Sequence, residues 1–401
     1  MKIKVAILKE TKTPPDKRAV FSPELIMEFH EKFPQAEIYV QRSDIRSYKD
    51  EEYEKLGFKM CDTVDHCELL LGIKEVSIPQ LIPDKTYMFF SHTAKKQEYN
   101  RSLLKELLKR RIKMIDYEYL TAKEGYRLVA FGRWAGVVGA YNALIAYGQR
   151  NNIFNLQRAI DCYDVSEMES EMKAKVKLPY VKILLTGDGR VANGAIETIS
   201  KINIRKVSPQ DFLTKQYNEP VYTQLTPKEY VQHKDGKDFE LKDFFQNPQD
   251  YVSSFLPYTK VADVFMACHF WDNRSPVFFT KEDAAKDDFK ISIIADISCD
   301  IAIPIPTTLR SSEIAKPYYG YNKRTGLECE PFEEGNITVM AVDNLPGELP
   351  RDASVDFGKA LIDKIFPYIF EEDTEKIIER ATITENGKLG KNFIYLEDFV
   401  K

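Results

Sequence analysis

A regular alternation of strand-like and helix-like runs fills roughly the first 130 residues, and it leaves few folds open. KVAILKE, AEIYVQ, ELLLGIKEV, TYMFFSH and KMIDYEYL read as strands, several apolar enough to be covered on both faces. SPELIMEFHEKF reads as a helix capped by Ser22. SLLKELLKRR reads as an amphipathic helix with Leu103, Leu104, Leu107 and Leu108 on one side. This rhythm predicts a parallel sheet covered by helices. AFGRWAGVVGAYNALIAYGQR follows as a long helix whose small residues permit close packing. Residues 151–180, with DVSEMESEMKAK, read as a solvated helix and loop serving as a linker. A second unit starts at KILLT and continues through the strands VADVFMACHF, ISIIADIS and NITVMAV to two helical runs and a final FIYLEDF strand. The polar stretch 208–260 is too long for one loop and needs small elements of its own.

Composition removes several function classes. The 401 residues hold 57 Lys+Arg against 62 Asp+Glu, a net charge of −5, and a length of two or three domains. No dense basic face for nucleic acid is present, since Lys109-Arg110-Arg111 merely ends a helix, where cations suit the dipole. No run approaches the ~18 apolar residues of a membrane span, and MKIKVAILKE reads as a strand rather than a signal peptide. The cysteines 61, 67, 162, 268, 299 and 329 are scattered without Cys-x-x-Cys spacing, which predicts reduced thiols in a cytoplasmic protein. Zinc at Cys61, His66 and Cys67 would lack a second ligand pair, so no metal is expected.

Gly187-x-Gly189-x-x-Ala192 follows the strand KILLT and opens a helix, the context a dinucleotide fingerprint requires. Gly187 allows the tight turn, Gly189 lets backbone approach a diphosphate, and Ala192 and Gly194 allow the helix to pack on the strand. An NAD-type site places an acid about 20 residues on. There the chain reads IRKVSPQDF, ending at Ser208, with Arg205 and Lys206 before it and Asp211 after. Losing the acid removes repulsion against a 2′-phosphate, which tilts the choice toward NADP(H) over NAD(H).

A second set of polar residues lies in the first half. Arg18 sits between the first strand and helix, and Lys74 and His92 follow the strands of GIKEV and MFFSH. Arg127 precedes VAFG. Ligands of parallel α/β folds bind at the carboxyl ends of strands, which is where three of these fall.

KTYMFFSHTAKKQEYNRSLLKELLKRRIKMIDYEYL, RLVAFGRWAGVVGA, ILLTGDGRVANGA, IADISCDIAIPIP, AVDNLPGELPRDAS and ATITENGKLGKNFIYLEDF resemble, in order, the lysine–ketoglutarate reductase half of aminoadipic semialdehyde synthase. A weaker resemblance reaches saccharopine dehydrogenases (lysine-forming), and a weaker one still alanine dehydrogenase and transhydrogenase subunits. The resemblance implies reversible condensation of L-lysine with 2-oxoglutarate to saccharopine with NAD(P)H. It implies an acid–base pair of Lys74 and His92, and substrate carboxylate binding by Arg18, Lys95 and Arg127. It places Gly187, Gly189 and Gly194 at the nucleotide turn and Asp296, Asp300 and Asn344 beside the nicotinamide; Arg190, Val191, Ser208 and Leu345 complete the expected cofactor-binding set. Lysine's ε-amine must lose a proton before it attacks the keto carbon, and the carbinolamine needs an acid to lose water. Ala192 stands where many relatives have Gly, and the saccharopine-oxidising half of the bifunctional enzyme has no counterpart in these residues.

The expected architecture is α/β, with two Rossmann-like domains, parallel sheets and an interdomain cleft. Residues 1–134 with 345–401 form the substrate domain, and 135–344 the NAD(P)-binding domain. An alanine dehydrogenase-like enzyme and a non-catalytic dinucleotide-binding protein are the alternative readings. Oligomeric state stays open, a homo-oligomer included.

Overall fold

The structure, a computed structural model, describes residues 2–401. They divide into two compact units, one holding residues up to Phe131 with Pro350–Lys401, the other Gly132–Leu349. Each is built on its own mostly parallel sheet. No helix among the described residues is long and apolar enough to cross a membrane.

The first sheet contains β1 (Ile3–Ile7), β2 (Ala36–Gln41), β3 (Lys59–Cys61), β4 (Leu69–Leu71), β5 (Thr86–Phe89) and β6 (Lys113–Asp116), all parallel, in the order β6-β5-β4-β1-β2-β3. The strand Thr382–Glu385 joins β6 antiparallel, and Lys388–Leu389 pairs outside it. Two of the strands end sooner than their apolar runs suggest. β4 stops at Leu71 and β5 at Phe89, which leaves Lys74 and His92 in loops beyond the carboxyl ends.

Helix Pro23–Lys32 forms as expected, with the Ser22 hydroxyl accepting from the Leu25 amide at 3.3 Å. Its buried Phe29 meets Phe366 edge-on at 5.1 Å, and Phe357, Leu361 and Ile362 join the same core. Each buried aromatic or aliphatic side chain contributes about 1.5–3 kcal/mol. Both ends of the sequence therefore build one core. The FIYLEDF segment is not a strand. It forms a 3-10 turn, Lys391–Leu396, and a short helix, Glu397–Val400. Phe393 and Leu396, three apart, are its buried positions, so its apolar period is helical.

The second sheet contains β7 (Lys182–Thr186), β8 (Arg205–Lys206), β9 (Val221–Leu225), β10 (Val264–Ala267), β11 (Ile293–Asp296), β12 (Tyr318–Tyr321), β13 (Glu328–Cys329) and β14 (Ile337–Met340), in the order β13-β12-β14-β11-β10-β7-β9-β8. β12 and β13 run antiparallel at one edge. The polar stretch after 208 supplies β9, several short helices and a separate ribbon of Val231–His233 with Tyr251–Ser253. Residues 151–180 are no linker between units. They lie within the second unit, where Leu156, Ala159, Met168 and Met172 are buried.

Helix Gly132–Asn151 crosses helix Arg190–Ile199 at backbone contact. A Cβ on Gly194 would lie 2.0 Å from the Arg133 carbonyl oxygen, and one on Gly136 would lie 1.9 Å from that of Val191. Gly194 thus serves helix–helix packing rather than the expected packing on the strand. Neither carbonyl can move without breaking its own helix, so Gly194→Ala is expected to cost about 1–3 kcal/mol, several degrees of Tm. A thermal melt of that variant measures it.

Candidate active site

Three charge clusters gather beyond the carboxyl ends of the first sheet. Arg18 is 3% exposed and forked onto Asp16, its Nε donating at 2.9 Å and Nη2 at 2.6 Å. The Phe131 ring lies 4.2 Å from the guanidinium carbon. Burial works to raise the Asp16 carboxyl, but Arg18 outweighs it and holds the acid well below its usual range.

Lys74 is the second feature. Its amide and that of Ile73 donate to the two oxygens of buried Glu10, at 2.8 and 2.7 Å. Those bonds fix the loop leaving β4. The Lys74 ammonium makes no hydrogen bond or ion pair among the described residues. Burial, then the positive charge of Arg18, lowers its pKa from the ordinary lysine value. Burial, with Asp16 adding to it, pushes the Glu10 carboxyl up to about 8.

His92 is the third. It sits in the left-handed region, φ 53°, a strained position for a side chain of this size. The turn is pinned by Ser91, whose amide and hydroxyl donate to the Asp116 carboxylate at 3.0 and 2.5 Å. Nδ1 lies 2.7 Å from Glu75 Oε1. Burial raises the Glu75 acid, but the bond to His92, its charge and Lys12 at 3.0 Å outweigh burial and bring it down to about 2. An ionised carboxylate only accepts, so Nδ1 carries the proton and Nε2 is left for proton exchange. Glu118, nearly buried, collects Lys95 at 2.9 Å and the guanidinium of Arg127. Burial works against its charge, and Arg127, Lys95 and His92 more than compensate.

The first unit thus assembles Arg18, Lys74, His92, Lys95 and Arg127 with acids that the sequence reading left out: Glu10, Asp16, Glu75 and Glu118. Two of these had a visible signal. Glu75 directly follows Lys74, and Asp16 stands two before Arg18.

In the second unit, Gly187 takes φ 90°, and a Cβ there would lie 2.6 Å from the Cys268 carbonyl oxygen. Gly189 opens the helix with ordinary φ and no atom within 4 Å of where a Cβ would stand. The protein's own packing thus demands glycine at 187 but not at 189, and the open space at 189 lies against the helix amino terminus. That fits a diphosphate arriving at the turn. Arg190 and Val191 form the first helical turn, exposed and half-buried.

The strand beside β7 is β9, not the short β8 that carries Arg205 and Lys206. The expected ribose position therefore moves to the end of β9, where Gln224 Nε2 donates to the Gly187 carbonyl at 2.9 Å. The nearby acid Glu229 is tied to the Thr226 amide and hydroxyl at 2.8 and 2.7 Å. Ser208 is exposed and caps helix Pro209–Thr214, accepting from the Asp211 amide at 3.1 Å. Asp296 is fully buried and accepts from the Ser298 and Thr308 hydroxyls, both at 2.6 Å, so its carboxyl holds the following loop. Asp300 is partly exposed, its acid pushed up to about 6 by burial and by Asp296. Asn344 is half-buried and Leu345 buried at the start of the turn Leu345–Glu348. No group of His, Cys, Asp and Glu among the described residues forms a metal site.

The profile of the alanine dehydrogenase/PNT, N-terminal domain matches residues 6–138. Alpha-aminoadipic semialdehyde synthase of Arabidopsis thaliana is 28% identical over 90% of this chain and 38% of its own length. Saccharopine dehydrogenase (NAD(+), L-lysine-forming) of Schizosaccharomyces pombe is 26% identical over 81% of this chain and 83% of its own. Similarity to lysine-forming saccharopine dehydrogenases and to alpha-aminoadipic semialdehyde synthases thus runs along most of the chain. A solved L-alanine dehydrogenase shares the fold, with a TM-score of 0.63 at 12% identity over all of both chains. The chain spans about two fifths of the alpha-aminoadipic semialdehyde synthases it matches, 38% of the Arabidopsis thaliana protein and 44% of the Bos taurus one.

If Gly189 is kept open for a ligand, Gly189→Ala leaves the Tm unchanged and weakens pyridine dinucleotide binding about tenfold or more. Melting and fluorescence titration with NADH and NADPH read the two effects separately.

Proposed function

We propose that this chain condenses L-lysine with 2-oxoglutarate, reversibly, to saccharopine, using NADP(H) or NAD(H). The observation that carries the reading is the unpaired, desolvated Lys74 ammonium set among carboxylate-binding cations, with His92 oriented by Glu75. The names of the relatives support the same substrates.

The roles follow from the chemistry. Lys74, with its lowered pKa, is the base that takes a proton from the lysine ε-amine before attack on the keto carbon. His92 protonates the carbinolamine hydroxyl from Nε2 as water leaves; Glu75 steadies the imidazolium before the transfer and holds the neutral Nδ1–H ring after it. The substrates bring three carboxylates, which Arg18, Lys95 and Arg127 orient. Their acidic partners keep each side chain in place between turnovers. A bound pyridine dinucleotide supplies the hydride. No metal is needed for these steps. The buried and half-buried cysteines, all unpaired, support a cytoplasmic setting.

For the cofactor we favour NADP(H). Lys206 Nζ donates to Gln224 Oε1 at 3.0 Å, and Gln224 in turn holds the Gly187 carbonyl. This keeps a cation beside the turn, while the acid at the end of β9, Glu229, is engaged by Thr226.

A coupled assay with lysine, 2-oxoglutarate and NADPH or NADH is expected to consume the cofactor. Lys74→Met and His92→Gln each lower kcat by about 10²–10⁴-fold. The acidic limb of the pH–rate profile reports loss of a proton from Lys74, so it falls below the free-lysine value near ~10.4. Turnover with alanine and no 2-oxoglutarate, or no turnover at all, contradicts the assignment. Lys206→Met is expected to raise KM for NADPH about five- to tenfold and to leave that for NADH within about twofold. Equal effects on both cofactors remove the NADP(H) preference.

A further inference from the structure

β10 leaves the second sheet as Cys268-His269-Phe270-Trp271, directly against the glycine turn. A Cβ on Gly187 would stand 3.0 Å from the His269 Cα. His269 itself is 6% exposed. Its Nδ1 shares a 2.8 Å hydrogen bond with the hydroxyl of Thr186, the last residue of β7 before the turn. Phe278 packs edge-on at 4.5 Å between ring centroids. Thr186 and Phe278 together fix the plane of the imidazole.

The other nitrogen has no partner. His269 Nε2 is buried without a hydrogen bond, and so is Trp271 Nε1, the two rings 6.4 Å apart. More than nine in ten buried polar groups in folded proteins are satisfied. Two orphaned ring nitrogens in one four-residue segment, at the carboxyl end of a parallel strand, stand where this class of sheet receives its ligand. Nothing in the proposed proton transfers uses them.

We infer that His269 is a dinucleotide-binding residue: Nε2 makes a hydrogen bond to the ribose–diphosphate portion of the pyridine dinucleotide received at the Gly187–Gly189 turn, with Thr186 orienting the ring. The inference rests on the reading of that turn as a dinucleotide site. Burial pushes the imidazole down to about 3, so the ring binds as a neutral group, and the contact adds direction rather than charge.

Fluorescence titration of the full chain with NADH and NADPH, together with ¹⁵N-imidazole NMR, tests this. The chain holds five histidines, so the His269 signals are assigned by their loss in His269→Phe. The expected result is a Kd at least about tenfold higher in His269→Phe, and movement of the wild-type His269 nitrogens when dinucleotide is added. A wild-type protein that binds the dinucleotide with unmoved His269 signals, and a variant Kd within about twofold, overturns the inference. A wild-type protein that binds neither dinucleotide overturns the reading of the turn, and this inference with it. The NMR arm needs no substitution, so a poorly folding variant does not leave the question open.

Discussion

Buried carboxylates hold the candidate active site together. An isolated charge loses several kcal/mol of hydration on leaving water, so Arg18 and the buried acids Asp16, Glu75 and Glu118 need compensation. Asp16 compensates Arg18, Glu75 holds His92, and Glu118 holds Lys95 and Arg127. Glu10 does something different. It grips the backbone of the Lys74 loop rather than the side chain, so the loop is fixed while the amine stays unpaired. The contrast matters for the proposed chemistry: the cations assigned to bind carboxylates are held by acids, and the amine assigned as base has no such partner.

The second unit solves a different problem, bringing backbones close. Gly136 and Gly194 let two helices meet at carbonyl contact, and Gly187 lets the turn meet the end of β10. The helix that carries the turn is therefore located by glycine packing on a buried neighbour, Gly132–Asn151. The amides at its start are held where they are whether or not a ligand is bound.

Much of this was legible in residue order. The Ser22 cap, five strands of the first sheet, the strand–turn–helix at 182–199 and the small-residue helix all follow from local period and turn chemistry. Where local pattern misled, tertiary context decided. FIYLEDF has strand-like composition, yet its buried Phe393 and Leu396 lie at helical spacing. Arg205 and Lys206 follow the first βα unit in sequence, but VYTQL inserts as β9 and pushes them to the edge. In the site, the basic residues could be picked out because each follows a strand or falls in a motif. Of their acids, Asp16 lies two residues from Arg18 and could have been found, whereas Glu75 and Glu118 reach His92 and Lys95 only through the fold.

The first core needs both ends of the sequence, with Phe29 from the first helix packed on Phe366. On a ribosome those ends appear at different times. Residues 132–349, a continuous stretch, emerge before Pro350–Lys401, so the second unit has all its strands while the first still lacks one flank of its sheet. Domains fold as units during synthesis. The inserted unit is thus the natural first folder. Until the last segment arrives, β6 presents a bare edge and Phe29 an uncovered face, the surfaces that chaperones and aggregation compete for.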